Sequence, residues 1–324
     1  MQTTFRGRDA LCGAVTALAF VAAMGTAPSG AQAADPAACK EVSFADVGWT
    51  DITATTAATS VVLEGLGYEP EAEVLSVPVT YASLKNGDID IFLGNWMPTM
   101  EGDIAKYRDE GSVEVLGANL EGAKYTLAVP SYTAEKGLKD FADIAKFEDS
   151  LDGKIYGIEP GNDGNRLILD MIDGDAFGLK GFEVVESSEQ GMLSQVARAV
   201  KGKEDIVFLG WAPHPMNNNF DLVYLSGGDD FFGPDYGGAT VFTNVRKGYT
   251  GECPNVGKLR DNLKFSLPME GAIMGAILND GKNEMVAATE WLKANPGVLD
   301  GWLAGVQTID GKDGLPAVKA HLGL

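Results

Sequence analysis

Three of the five tryptophans stand in like surroundings. Trp49 follows Gly48, Trp96 follows Gly94-Asn95 and Trp211 follows Gly210, each just past a short apolar run. An indole in a loop at a strand end leaves apolar area in water unless something covers it. One such residue reads most simply as packing under its own loop, but three in equivalent places point to a shared aromatic site. Indole faces carry negative potential, so a box of them suits a cation unable to make strong hydrogen bonds, such as a quaternary ammonium. Each desolvated face contributes ~0.5–2 kcal/mol to such a contact. The other two, Trp291 and Trp302, lie in a helical stretch at 284–303 with apolar neighbours at helical spacing and read as core.

Few other residues offer chemistry. The sequence has no G-x-S-x-G elbow, Walker A loop, dinucleotide fingerprint, CxxC pair or HExxH helix. Only His214 and His321 are present, which excludes multi-His metal sites. His214, between Pro213 and Pro215, is a poor mobile base and reads as loop packing. The acidic loop at 227–235 (GGDDFFGPD) lacks the ligand spacing of a calcium loop and reads as a solvated turn. The sequence calls for no metal and no cofactor. With 46 acidic against 25 basic residues, a net charge of −21 argues against nucleic acid and against anionic lipid as partners.

The elements that must position the tryptophans alternate between strand and helix. Strands are expected at 41–47, 72–78, 89–93, 124–129, 154–158, 182–185, 206–209 and 239–245. Helices are expected at 51–64, capped by Thr50 or Asp51 and closed at Gly65, and at 80–86, 166–171 and 190–200. Such alternation implies α/β architecture with parallel sheets. A short repeat runs through it: DIFLGNWMPTM at 90–100 and DIVFLGWAPHPM at 205–216. Ligands of open α/β sheets sit beyond the carboxyl ends of strands, so the repeat suggests two similar lobes facing each other. Strands 124–129 and 239–245 could pair as a double crossover. The first lobe would then be 38–124 with 243–324, and the second 125–242.

The amino terminus reads as a secretory signal at 1–33. Arg6 and Arg8 precede an apolar run at 11–24, and Ala31-Gln32-Ala33 supplies the cleavage pattern. Export leaves Cys39 and Cys253 as an even pair in an oxidising compartment, and a disulfide is the economical reading, against two unrelated buried thiols. Such a bridge would lie wholly within the first lobe of the interleaved division.

The stretches DVGWTD at 46–51, YASLKNGDIDIFLGNWMP at 81–98, AKYTLAVP at 123–130, YGIEPGN at 156–162 and IVFLGWAPH at 206–214 resemble the periplasmic substrate-binding proteins of ABC importers for quaternary amines, the glycine betaine and choline family, its choline-binding members most. The resemblance covers essentially the whole mature chain. It implies the two-lobed type II periplasmic binding protein fold, each lobe a mostly parallel sheet flanked by helices and joined to the other by a two-segment hinge. It implies an aromatic box of Trp49, Trp96, Tyr125 and Trp211, with Asp51 and Asn162 addressing the ligand's polar end, and it matches the cysteine pair to a family disulfide. A monomeric, non-enzymatic periplasmic receptor follows, delivering choline to a membrane permease with its ATPase. Glycine betaine, carnitine or acetylcholine reception is the near alternative. A secreted choline-ester hydrolase, or a binding module signalling to a membrane receptor, are the distant ones. Read from the residues alone, Asp51 could be only a helix cap, Asn162 only a turn residue, and Tyr125 a strand residue facing the core.

Overall fold

The strands that carry the tryptophans belong to one mixed sheet. The computed structural model describes residues 34–324, so the expected signal segment lies outside the described residues. Within them run nine strands: β1 Glu41–Asp46, β2 Glu69–Val74, β3 Ile91–Met97, β4 Val113–Pro130, β5 Lys154–Tyr156, β6 Glu183–Val185, β7 Phe208–Ala212, β8 Leu222–Tyr224 and β9 Gly238–Arg246. Their order across the sheet is β2-β1-β3-β9-β4-β7-β5-β6, with β8 on β4. In one wing β1 is parallel to β2 and β3; in the other β5 is parallel to β6 and β7. The middle is antiparallel, β9 pairing with β3 and β4, and β4 with β7 and β8.

Two strands carry the chain between the wings. β4 pairs with β9 from Val113↔Arg246 to Lys124↔Gly238, then runs on beside β7 from Lys124↔Ala212 to Ala128↔Phe208. The two crossover strands do pair, but not along the expected segments: β9 lies against residues 113–124, while the expected strand at 124–129 pairs with β7 and β8, and β4 begins eleven residues earlier than the sequence suggested. Gly117 and Gly122 give that half a loop-like composition, and the register shifts between Val115 and Ala123 absorb them as bulges.

The helix Thr50–Leu66 shows how local chemistry sets the elements. Its small Ala, Thr and Ser residues let neighbouring helices approach closely, and 14 of its 17 residues are buried. Buried Thr55 and Thr59 are satisfied by donating their hydroxyls to the Asp51 and Thr55 carbonyls one turn back. The cap position is occupied by Trp49, not by Thr50 or Asp51, and the Trp49 side chain makes no capping hydrogen bond there. The helix passes through Gly65 and ends at Gly67, whose φ of 89° is the left-handed conformation that closes helices. The second expected strand ends early for a related reason. Pro78 sits in the first turn of a helix, Val77–Asn86, where a missing N–H costs nothing.

Cys39 and Cys253 are disulfide-bonded across a separation of 214 residues, which removes the reading of two unrelated thiols. Close by, Asp35 accepts from the Asn255 and Val256 backbone N–H groups at 2.7 and 3.0 Å and from the Tyr68 hydroxyl at 2.9 Å. The start of the described chain is thus fastened to the helix Pro254–Asn262 by a covalent bond and a remote cap. Among the described residues no helix is long and apolar enough to cross a membrane. Closing so long a loop restricts the unfolded chain, and reduction should lower stability by roughly 2–5 kcal/mol. Denaturant melts of the oxidised protein and a Cys39→Ser/Cys253→Ser variant check this; coincident melts would show that the Asp35 cap alone holds the terminus.

Candidate ligand-binding site

Trp96 and Trp211 are the penultimate residues of β3 and β7, each followed one residue later by proline through a cis peptide bond. The sequence repeat is therefore a repeat of position: one indole at the end of a strand in each wing. Tyr125 lies between them on β4, directly opposite Trp211 in the β4–β7 register. Its ring meets Trp96 at 6.1 Å and 63°, and Trp211 at 6.2 Å and 85°, both edge-to-face. Phe232, from the acidic loop, supports it from a third side at 5.8 Å and 88°. That loop forms two short helical turns, Asp229–Phe232 and Pro234–Gly237, and its aromatic residue, not its carboxylates, serves the site.

These rings, with Trp49, Asp51 and Asn162, line one cavity, completed by Ile158 and Asp163. The structure brings all six expected residues together. All of them are buried, so the rings are shielded from bulk water on every side but the cavity. Asn162 is a turn residue as well as a lining one. Its Oδ1 caps the helix Asp163–Asp173 through the Asn165 N–H at 3.1 Å and accepts from the Tyr125 hydroxyl at 2.9 Å. Two glycines make room for Tyr125. A Cβ on Gly164 would stand 2.1 Å from its hydroxyl, and one on Gly237 1.9 Å from its carbonyl oxygen.

Every indole N–H that finds a partner here finds a carboxylate. Trp96 Nε1 donates to Asp51 Oδ2 at 3.1 Å, and Trp49 Nε1 donates to Glu159 Oε1 at 2.8 Å. Asp51 is therefore no helix cap: it stands in the first turn with its carboxyl directed at Trp96. Burial, reinforced by the charge of Glu189, pushes Asp51 up to about 8. Burial likewise raises Glu159 to about 7 and Asp163 to about 6, with neighbouring carboxylates adding to both. Glu270, also buried, is raised well above the carboxylate range by burial and by Asp51. One oxygen of Asp163, Oδ2, is buried without a hydrogen-bond partner. No lysine or arginine lines the cavity. A wall of ring faces and under-compensated carboxyls suits a bulky organic cation.

Sequence reasoning missed Ile158 and Asp163 in the wall and Glu159, Glu189 and Phe232 behind it. Glu159 and Asp163 adjoin residues that were singled out, but nothing local marks Glu189. Of the C-terminal tryptophans, Trp302 is buried core and Trp291 is only half-buried against it.

Two wings that meet at antiparallel crossover strands, with a cavity walled from both, define a two-lobed solute receptor of the type II class. A model of the substrate-binding domain of ABC-type glycine betaine transport systems matches residues 40–294, and the chain belongs to that family. Among solved structures, an ABC-transporter choline binding protein in complex with choline is 68% identical, with a TM-score of 0.88 over 89% of this chain and all of that one. A choline binding protein in an unliganded semi-closed conformation is 69% identical, with a TM-score of 0.82 at the same coverage. Lactococcal OpuAC in its closed form with glycine betaine is 28% identical, with a TM-score of 0.73 over 81% of this chain and 98% of that one.

The raised Asp51 carboxyl gives a measurable signature. A group held above its unfolded value of 3.8 contributes stability below that pH and loses it as pH rises through about 8. Asn cannot ionise, so an Asp51→Asn variant escapes that loss. In thermal melts without ligand, its melting temperature relative to the parent should climb from pH 4 to 8 and level off above. A difference independent of pH would mean that the parent's Asp51 ionises normally.

Proposed function

We propose that this chain is the extracytoplasmic receptor of an ABC importer for quaternary amines, with choline as its preferred ligand. The observation that carries the reading is the single cavity in which Trp49, Trp96, Tyr125 and Trp211 turn their rings toward a space edged by Asp51 and Asp163. The trimethylammonium group, which has no N–H to donate, is held by ring faces; the hydroxyl end lies toward Asp51 and Asn162. The 68%-identical choline complex supports this choice. The chain performs no reaction on its ligand. It works as a periplasmic monomer, exported by the segment at 1–33, and hands the amine to a membrane permease driven by its ATPase.

The lobes are 38–124 with 243–324, and 125–242, hinged at β4 and β9. Trp49, Asp51 and Trp96 belong to the first, Tyr125, Asn162 and Trp211 to the second. The ligand therefore touches its full set of partners only when the lobes close, and that differential contact favours the closed state. Asp51 enters this cycle as a proton donor to solvent. At a dielectric of about 20, an ammonium ~4 Å away favours the ionised carboxyl by about 4 kcal/mol, enough to bring it back below neutrality. The arriving cation thus supplies the counter-charge that the empty protein lacks.

Glycine betaine is the second reading, favoured by the family description and by the betaine complex of lactococcal OpuAC. It would place a carboxylate beside Asp51 and Asp163 with no basic side chain in the wall to receive it. Calorimetric titration with choline, acetylcholine, glycine betaine and carnitine decides between them, choline binding tightest; a tighter betaine isotherm would overturn the choice. Trp96→Ala or Trp211→Ala should weaken choline by roughly 1–3 kcal/mol in a folded protein. Asp51→Asn should weaken choline and weaken betaine less, narrowing the preference, and an unchanged ratio would remove Asp51 from ligand choice.

A further inference from the structure

Glu189 is buried to 1% exposure at the start of the helix Glu189–Gly202, yet every near partner it has comes from outside that helix. Its Oε2 accepts from the Thr50 backbone N–H at 2.8 Å, and its Oε1 from the Thr50 hydroxyl at 2.6 Å. Those two donors open the helix Thr50–Leu66, where no side chain of its own caps the first turn. The carboxylate of one lobe thus caps the first helix of the other, at the end where the helix dipole favours negative charge. On its other side Oε1 meets His214 Nε2 at 3.2 Å. The Met216 backbone N–H donates to His214 Nδ1 at 2.9 Å, which leaves Nε2 as the nitrogen carrying the proton toward Glu189. The His214 ring in turn packs edge-on against Trp211 at 4.7 Å and 65°.

We propose that Glu189 is a positioning residue that locks the two lobes together through Thr50, braced within its own lobe by His214, which packs behind Trp211. The inference rests on the proposed lobe division and on reception of a quaternary amine; it adds a residue that need not touch the ligand. When the lobes part, Thr50 loses its cap and Glu189 returns to water. When they close, one carboxylate takes three donors in a dry place, where charge-assisted hydrogen bonds are strongest. Glu189, His214 and Trp211 all belong to the second lobe, so His214 ties the carboxylate that grips Thr50 to the rear of Trp211 within that lobe. The lock therefore acts on release of the ligand more than on its entry. In keeping with a closed arrangement, the chain matches the choline-bound structure better than the semi-closed one, with TM-scores of 0.88 against 0.82.

The test separates rates. Stopped-flow tryptophan fluorescence gives choline association and dissociation for the parent, Glu189→Gln and Thr50→Val. Gln keeps the size but cannot accept from both Thr50 groups and His214 with full charge; Val removes only the hydroxyl donor. Glu189→Gln should speed dissociation at least tenfold with association within about twofold of the parent. Thr50→Val should speed dissociation less, and the double variant should add little to Glu189→Gln alone. A folded Glu189→Gln protein that releases choline at the parental rate overturns the lock. If Glu189→Gln fails to fold, parental release from Thr50→Val does the same. A parent that binds no choline would sink the proposed function instead. The lock would then be read without ligand, by small-angle scattering: an unchanged radius of gyration in Glu189→Gln overturns it, and a larger one supports it.

Discussion

The site depends on how Tyr125 is held. Its ring stands edge-on to Trp96, Trp211 and Phe232, and its hydroxyl ends on Asn162. That one side chain sits on the strand that passes between the wings, so it belongs to the crossover and to the box at once. Edge-to-face packing sets the angles at which the indoles can present their faces to a common space. The glycines at 164 and 237 are needed for the same reason, since a methyl at either place would collide with Tyr125 itself. The aromatic wall is therefore built around the strand that links the wings, so if the proposed hinge lies there, its movement is movement of the wall.

A second constraint is the surplus of buried carboxyl groups. Asp51, Glu159, Asp163 and Glu270 are buried at or near the cavity and raised by that burial, and Glu189 is buried close by. Removing so many acids from water without basic partners opposes folding. The structure offsets the cost by assigning donors: the indole N–H groups of Trp49 and Trp96, the cap of the first helix, and the imidazole of His214. It does not offset it fully, as the unpartnered Asp163 oxygen shows. Such incomplete satisfaction is expected where sequence has been shaped for a ligand as well as for stability. The missing charge is the ligand's.

How far the sequence disclosed this follows from distance along the chain. Trp96 and Trp211 were legible because each follows its own strand within a few residues, and the Trp-x-Pro repeat marked both. The parallel wings were legible because strand and helix alternate locally. The first half of β4 was not, since bulges at glycine-rich positions look like loop until a partner strand is present. Asp51 misled in a similar way. Thr-Asp before an apolar helix is a valid start signal, but the carboxyl is drawn to an indole 45 residues away. Glu189 carries no local signal at all, because its role is created by a contact with Thr50 139 residues distant.

The arrangement divides recognition between two kinds of contact. In the proposed mode the rings would read the ammonium head, which all ligands of this chemistry share, by faces that tolerate modest changes of shape. In the proposed binding mode the polar end is read by Asp51 on one lobe and Asn162 on the other, and Asn162 is also the hydrogen-bond terminus of Tyr125. A tail that does not suit Asp51 therefore disturbs more than one hydrogen bond. If the proposed lobes close on the ligand, such a tail would hold apart the two lobes on which the head's own partners depend, so an error at the tail would be felt as weaker aromatic contact at the head. On the proposed division, discrimination between quaternary amines would come from how completely the lobes can close, which would let one shared aromatic box serve a selective receptor.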